Sequence, residues 1–264
     1  MNSHIQQRYV FAKDLIKNVG EIALSFYLNR DKLNIQHKKG EAQDLVSIAD
    51  QNVEKEIKTA LKAHFPDDGF LGEESGADGL DKDFCWVVDP IDGTSPFLYG
   101  LQAWCISIAV LYKQEIVIGL IYDPLHKELF HTMKGEGAFV NEVPLSASKA
   151  TSLQEGLVGL GMSHRVPPST FVPVIDQVLK DGGMFVRNGS GALTLAYVAA
   201  GRLIGYFEPH INAWDCLAGI LLVQEAGGQT NDFLANDGLL KGNYILASSQ
   251  GIFNQLEAMR SLTL

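Results

Sequence analysis

A chain of 264 residues, 46% hydrophobic and with a formal charge of −10, can bury a large core, and its acidity argues against general binding to nucleic acid or to anionic membranes. It shows no charged start followed by a long apolar stretch, so neither a signal peptide nor a transmembrane span is expected. Cys85, Cys105 and Cys216 have no paired spacing and read as small buried hydrophobes in a reducing compartment, with the cytoplasm as the expected location.

The first predicted element is a helix over 3–29, where Tyr9, Leu15, Ile16, Val19, Ile22 and Phe26 make an apolar stripe. A charged loop carrying Lys39 follows. A second helix spans 47–64, with Val53, Ile57 and Leu61 on one face and Pro66 beyond its end. Apolar runs at 70–72 and 85–88 read as strands, and 104–112, 115–122 and 128–132 read as a meander with short turns. Residues 135–140 close this half, and 144–152 read as a linker. Beyond it the elements alternate. They run strand 157–161, helix 170–181, strand 184–187, helix 192–200, strand 203–207, a helix from about 216 to 226, strand 244–247 and a final helix. The pattern predicts a mixed α/β fold, one unit over 1–264 with tightly joined halves at 1–145 and 146–264.

Chemistry concentrates in residues 86–97, W-V-V-D-P-I-D-G-T-S-P-F. Val87 and Val88 read as a buried run, which puts Asp89 at the carboxyl end of a strand, where open α/β sheets place ligands. Pro90 is expected to stop the strand, Gly93 to let the backbone approach a ligand, and Thr94 to cap a helix whose N–H groups favour an anion. The arrangement suits a divalent metal holding a phosphate. Further acids flank it: D-L-V-S-I-A-D at 44–50, G-E-E-S at 72–75, and Trp214-Asp215 ahead of the Gly227-Gly228 pair. Taken singly, each has a plainer reading. Ser47 and Asp50 fit a capping box, Asp215 a helix cap, and Glu73-Glu74 a solvated turn.

In this order the motifs resemble the inositol monophosphatase family of magnesium-dependent phosphatases. The resemblance implies a layered α-β-α-β-α sandwich with metals between the halves. It implies that Glu73, Asp89 and the Ile91 carbonyl hold one Mg²⁺, that Asp89, Asp92 and Asp215 hold a second, and that a third lies near Glu73. Oxygen-only donors suit such a hard ion. It further implies that Thr94, oriented by Asp50 and assisted by Glu73, handles the attacking water, and that the Gly93 and Thr94 N–H groups hold the phosphate. Gly189, Ser190, Gly191 and Glu208 would flank a hydroxylated leaving group, with Lys39 and Glu74 as further candidates. A homodimer and inhibition by lithium are implied too. Metals would be indispensable, because a phosphate dianion about 5 Å from one carboxylate meets roughly 3 kcal/mol of repulsion per charge pair at an effective dielectric near 20.

Ser95-Pro96 departs from the usual family pattern, Thr-Asn, and puts substrate contacts near position 96 in question. The short connection over 76–84 leaves little room for a second-phosphate pocket, which favours a monoester. Inositol monophosphate is the expected substrate of a small-metabolite phosphatase. Histidinol phosphate, fructose 1,6-bisphosphate and a 3′-phosphoadenosine nucleotide are alternatives, as is a non-catalytic partner-binding protein that retains the fold. His4, His37, His64, His126, His131 and His164 lack ligand spacing and read as surface or local hydrogen-bonding groups.

Overall fold

The computed structural model describes residues 2–30, 36–37, 45–46, 48–163 and 165–263. Lys39, Asp44, Ser47 and His164, all singled out above, lie outside the described residues. Helix α1 (Asn2–Leu28) and helix α2 (Ile48–His64) are separated by a two-residue antiparallel pairing of β1 (Gln36–His37) with β2 (Leu45–Val46). Next come β3 (Gly69–Gly72), β4 (Gly76–Asp78), β5 (Phe84–Asp92), the short helix α3 (Thr94–Leu98), β6 (Cys105–Tyr112), β7 (Glu115–Asp123), β8 (Glu128–Met133), β9 (Ala138–Val140) and β10 (Val143–Pro144). The second half holds β11 (Leu157–Leu160), α4 (Pro168–Lys180), β12 (Met184–Val186), α5 (Gly191–Ala199), β13 (Gly205–Ile211), α6 (Ala213–Glu225), β14 (Gln229–Thr230), α7 (Gly238–Lys241), β15 (Asn243–Ser248) and α8 (Phe253–Met259).

Two mixed sheets organise these elements. The larger runs β10-β9-β8-β7-β6-β5-β3-β4, antiparallel except where β3 lies parallel to β5. The smaller runs β12-β11-β13-β15-β14, with β11 parallel to both its neighbours. Three apolar cores account for the layering. In one, Ile16, Val19, Val53 and Ile57 of α1 and α2 pack on Trp86, Ile106 and Leu120 of the large sheet. In the second, Leu195, Ala196, Leu217 and Ala218 of α5 and α6 are clamped between Val87, Ala109 and Ile121 of that sheet and Tyr206 and Ile245 of the small one. In the third, Val174 and Val178 of α4 and Leu256 of α8 cover Val158, Phe207 and Leu246. Helix, sheet, helix, sheet, helix is the sandwich expected above.

The apolar stripe of α1 lies in the first core as anticipated, with Leu15, Ile16 and Val19 buried and Tyr9, Ile22 and Phe26 packed against it. Arg8 anchors the same helix through a paired contact with Asp68, Nε to Oδ2 at 2.7 Å and Nη2 to Oδ1 at 2.6 Å. Other expectations need correction. The segment expected at 144–152 as a linker does join the two sheets, but it is tied down: Pro144 pairs with β9, the Ala147 N–H reaches Ala226 O at 2.9 Å, and Ala147 and Ala150 are buried. The closing strand of the first half begins only at Ala138, because Gly135 and Gly137 adopt positive φ in the preceding turn. The strand expected at 203–207 is displaced to Gly205–Ile211, which moves Glu208 from a strand end into its middle. Among the described residues no helix is long and apolar enough to cross a membrane.

Candidate active site

Strand β5 does not stop at Pro90. It continues to Asp92, and its register against β6 shifts between Asp89 and Asp92. Such an irregularity is where a proline without an N–H is tolerated inside a sheet, which is why the expected terminator fails to terminate. The bulge turns two carboxylates of one strand toward the same place. Asp89 is 1% exposed, and its Oδ1 accepts from the Ile91 N–H at 2.9 Å. Gly93, at φ 95°, is the N-cap of α3, so Thr94 is the first helical residue and not the cap expected from its side chain. Thr94 Oγ1 instead lies 3.3 Å from Asp50 Oδ1 and 3.2 Å from the Ile91 carbonyl oxygen. Asp50 itself is fully buried on α2.

Asp215 comes from the first turn of α6. Asn212 caps that helix, and Asp215 Oδ2 accepts from the Asn212 N–H at 3.1 Å, so the plainer capping role is real. The same side chain also joins the β5 acids: one oxygen each from Asp89, Asp92 and Asp215 lie within 4.8 Å of one another. Glu73, in the turn after β3, donates its N–H to Val88 O at 3.2 Å, and its charge acts on both Asp89 and Asp215. Burial, then the neighbouring carboxylates, hold Asp89 and Asp215 well above the usual carboxylate range. Burial also pushes Asp92 up to about 6, against the pull of its bonds to Ser190, Ala192 and Cys105. A buried acid cluster of this kind needs protons or a cation, and its all-oxygen donor set fits a hard divalent metal.

The two oxygens of Asp92 are not equivalent. Oδ2 accepts from Ser190 Oγ at 2.5 Å, from the Ala192 N–H at 2.6 Å and, weakly, from Cys105 Sγ at 3.8 Å. The bond to Ser190 ties the cluster to the head of α5, where Ser190 is the N-cap and also accepts from Leu193 N at 3.1 Å. Asn188 braces the loop, accepting from Ser190 N at 3.0 Å and Thr194 Oγ1 at 2.9 Å. Gly189 sits at φ 97°, and a Cβ there would meet Pro96 Cγ at 2.8 Å. Pro96 is therefore a buried wall behind this loop, which gives the unusual Ser95-Pro96 pair a place in the site.

Beyond the loop opens a cavity of about 140 Å³ lined by Asp92, Asn188, Gly191, Tyr206, Glu208 and Asp215, among others. Tyr206 OH donates to Glu208 Oε2 at 2.5 Å. Burial raises Glu208 to about 7, opposed by that bond and by Arg187. Asp89, Ile91, Asp92, Gly93, Thr94 and Asp50 thus meet Asp215 and Glu73 on one side, and Gly189, Ser190, Gly191 and Glu208 line the other. Glu74 contributes its backbone, its N–H donating to Glu54 Oε2 at 2.9 Å.

Four participants escaped the sequence reading: Glu54, Cys105, Asn188 and Tyr206. Glu54 carried the best signal, one helical turn after Asp50 on the stripe of Val53 and Ile57, where an acid has to find a partner. Cys105 is a buried small residue as expected, but it lies against Asp92 and Ser190.

Comparison with known proteins bears on this geometry. The family model described as the inositol monophosphatase family matches residues 4–261. A protein of Haemophilus influenzae named Nus factor SuhB is 38% identical over 249 residues, covering 92% of each chain. An inositol-1-monophosphatase of Mesorhizobium japonicum is 36% identical over 255 residues, covering 96% of this chain and 92% of the relative. The crystal structure of the extragenic suppressor protein suhB from Bartonella henselae superposes with a TM-score of 0.87 at 36% identity, covering 94% of this chain and 96% of the other.

Proposed function

The chain belongs to the inositol monophosphatase family, and on that premise we propose that it hydrolyses a small phosphate monoester, inositol monophosphate first among them, with Mg²⁺ as cofactor. The observation that carries this reading is the convergence of Asp89, Asp92 and Asp215 within 4.8 Å, with Asp92 and Asp215 lining a cavity that also has Glu208 on its wall. Glu73, Asp89 and the Ile91 carbonyl, together with Asp92 and Asp215, would hold two to three ions. Bound there, the metal supplies Lewis-acid charge and lowers the pKa of a coordinated water toward neutrality.

The protein's own groups then have defined tasks. With its hydroxyl hydrogen directed to Asp50 or to the Ile91 carbonyl, Thr94 Oγ1 keeps lone pairs to accept from the attacking water. Glu73 assists from the turn after β3. The Gly93 and Thr94 N–H groups at the head of α3, which the helix itself leaves without a partner, would receive a phosphate oxygen. Cys105 is the nearest thiol, and burial raises its pKa well above the ordinary value, so it is a poor nucleophile. In this reading displacement is direct and in line, without a phosphoenzyme. Glu208, ionised, accepts from leaving-group hydroxyls, while the backbone of Gly189–Gly191 contacts the ring.

The test is phosphate release by purified protein with varied Mg²⁺ over inositol monophosphate, histidinol phosphate, fructose 1,6-bisphosphate and a 3′-phosphoadenosine nucleotide. The highest kcat/KM is expected for inositol monophosphate, with inhibition by lithium. Asp89→Asn should lower kcat by several orders of magnitude. Release of no phosphate from any monoester refutes the reading.

A homodimer belongs to the same proposal. Edge strand β12 exposes Met184, Phe185 and Val186, an apolar edge suited to a second copy, and light scattering measures the oligomer. The relative named Nus factor SuhB favours a second reading, in which the chain acts by binding a partner. A cellular role that survives Asp89→Asn would support it.

A further inference from the structure

Helix α2 carries a second acid that the mechanism above leaves unused. Glu54 follows Asp50 by one turn on the same face and is 2% exposed. Its Oε2 accepts from the Glu74 N–H at 2.9 Å and its Oε1 from the Ser75 N–H at 2.8 Å. These successive donors belong to the turn that carries Glu73, whose own N–H is held by Val88 O, one residue before Asp89. The fit is close. A Cβ on Gly72 would lie 2.4 Å from Glu54 Oε2, so the glycine leaves the space that the carboxylate fills.

Position and charge both matter in this arrangement. A carboxylate that gives each oxygen to a different backbone N–H fixes the rotation of the turn between them, and with Val88 O it leaves the Glu73 backbone held from two sides. We propose that Glu54 is a positioning residue, which sets the turn at 72–75 and through it holds the Glu73 side chain in register with Asp89 for a divalent cation. This rests on the reading above only in taking Glu73 as a metal ligand. A purely structural Glu54 would affect stability alone, whereas a positioning Glu54 governs metal affinity.

Glu54→Gln separates the two. The amide keeps the shape but offers one acceptor where two are needed, and its NH₂ faces a backbone N–H. Binding of Mn²⁺ to the whole chain, followed by the electron paramagnetic resonance signal of the free ion, should weaken by about tenfold or more, the loss typical when a residue that orients a metal ligand is changed. The Mg²⁺ concentration for half-maximal activity should rise in parallel, with kcat at saturating Mg²⁺ changing much less. Gly72→Ala, which crowds the carboxylate without removing it, should move Mn²⁺ affinity in the same direction, and it decides the matter if Glu54→Gln does not fold.

Unchanged Mn²⁺ affinity in a folded variant, or a lower Tm without loss of affinity, overturns the proposal. Weakened Mn²⁺ binding supports it even if the parent protein releases no phosphate, a result that would remove the phosphatase reading and leave the positioning role standing.

Discussion

Replacing Ser190 with alanine removes two interactions whose sizes follow from the geometry. The Ser190 hydroxyl donates to Asp92 Oδ2 at 2.5 Å and accepts from the Leu193 N–H at 3.1 Å, and the residue is 2% exposed, so water cannot substitute. A buried hydrogen bond to an ionised carboxylate contributes roughly 1.5–3 kcal/mol, and an N-cap about 1 kcal/mol. Ser190→Ala should therefore destabilise the metal-free protein by roughly 2.5–4 kcal/mol at pH 7. Asp92 keeps its bond from the Ala192 N–H, which limits the loss. Because Asp92 is raised to about 6, it is mostly protonated at pH 5, where the bond is between neutral groups and its share falls to about 1 kcal/mol. Urea unfolding with a chelator at both pH values, analysed at constant m, measures the two penalties. A loss near 1 kcal/mol at both pH values, the cap alone, would show that the Asp92 contact contributes nothing and would refute the argument.

Three further outcomes follow from the same acids. Asp92 binds its proton more tightly folded than unfolded, as do Asp89 and Asp215, so metal-free stability should fall as pH rises from about 4 through about 6 and beyond, and Mg²⁺ should reverse the fall. A flat urea midpoint over that range with chelator would contradict it. Glu208 accepts hydrogen bonds from hydroxyls most strongly when ionised, so KM for a polyol phosphate should rise as pH drops below about 7, and Glu208→Gln should flatten that dependence in a steady-state profile. A Cβ at Gly161 would lie within 1.8 Å of Glu208 Oε2, so Gly161→Ala should raise KM for inositol monophosphate several-fold while changing that for p-nitrophenyl phosphate, which has no ring hydroxyls, much less.

The parts of this molecule that can be read from its sequence are those whose chemistry is local. Asp89 and Asp215 each sit beside an apolar run at a junction with a helix, and the meander shows in its alternation and short turns. What escapes is whatever depends on a neighbour from elsewhere in the chain. Pro90 reads as a strand terminator because a lone strand would end there, yet pairing with β6 absorbs it in a register shift. Glu54 reads as one more charge beside Lys55 and Glu56, and only the turn at 72–75 shows where its oxygens go. The double duty of Asp92 was invisible for the same reason. Its Oδ2 holds the head of α5 almost a hundred residues downstream, and Asp215 arrives on α6, packed with α5 between the two sheets. No part of the chain taken alone assembles the acids. The cluster forms only as the two sheets close over α5 and α6, so the free energy of that central core holds together carboxylates that would otherwise repel one another.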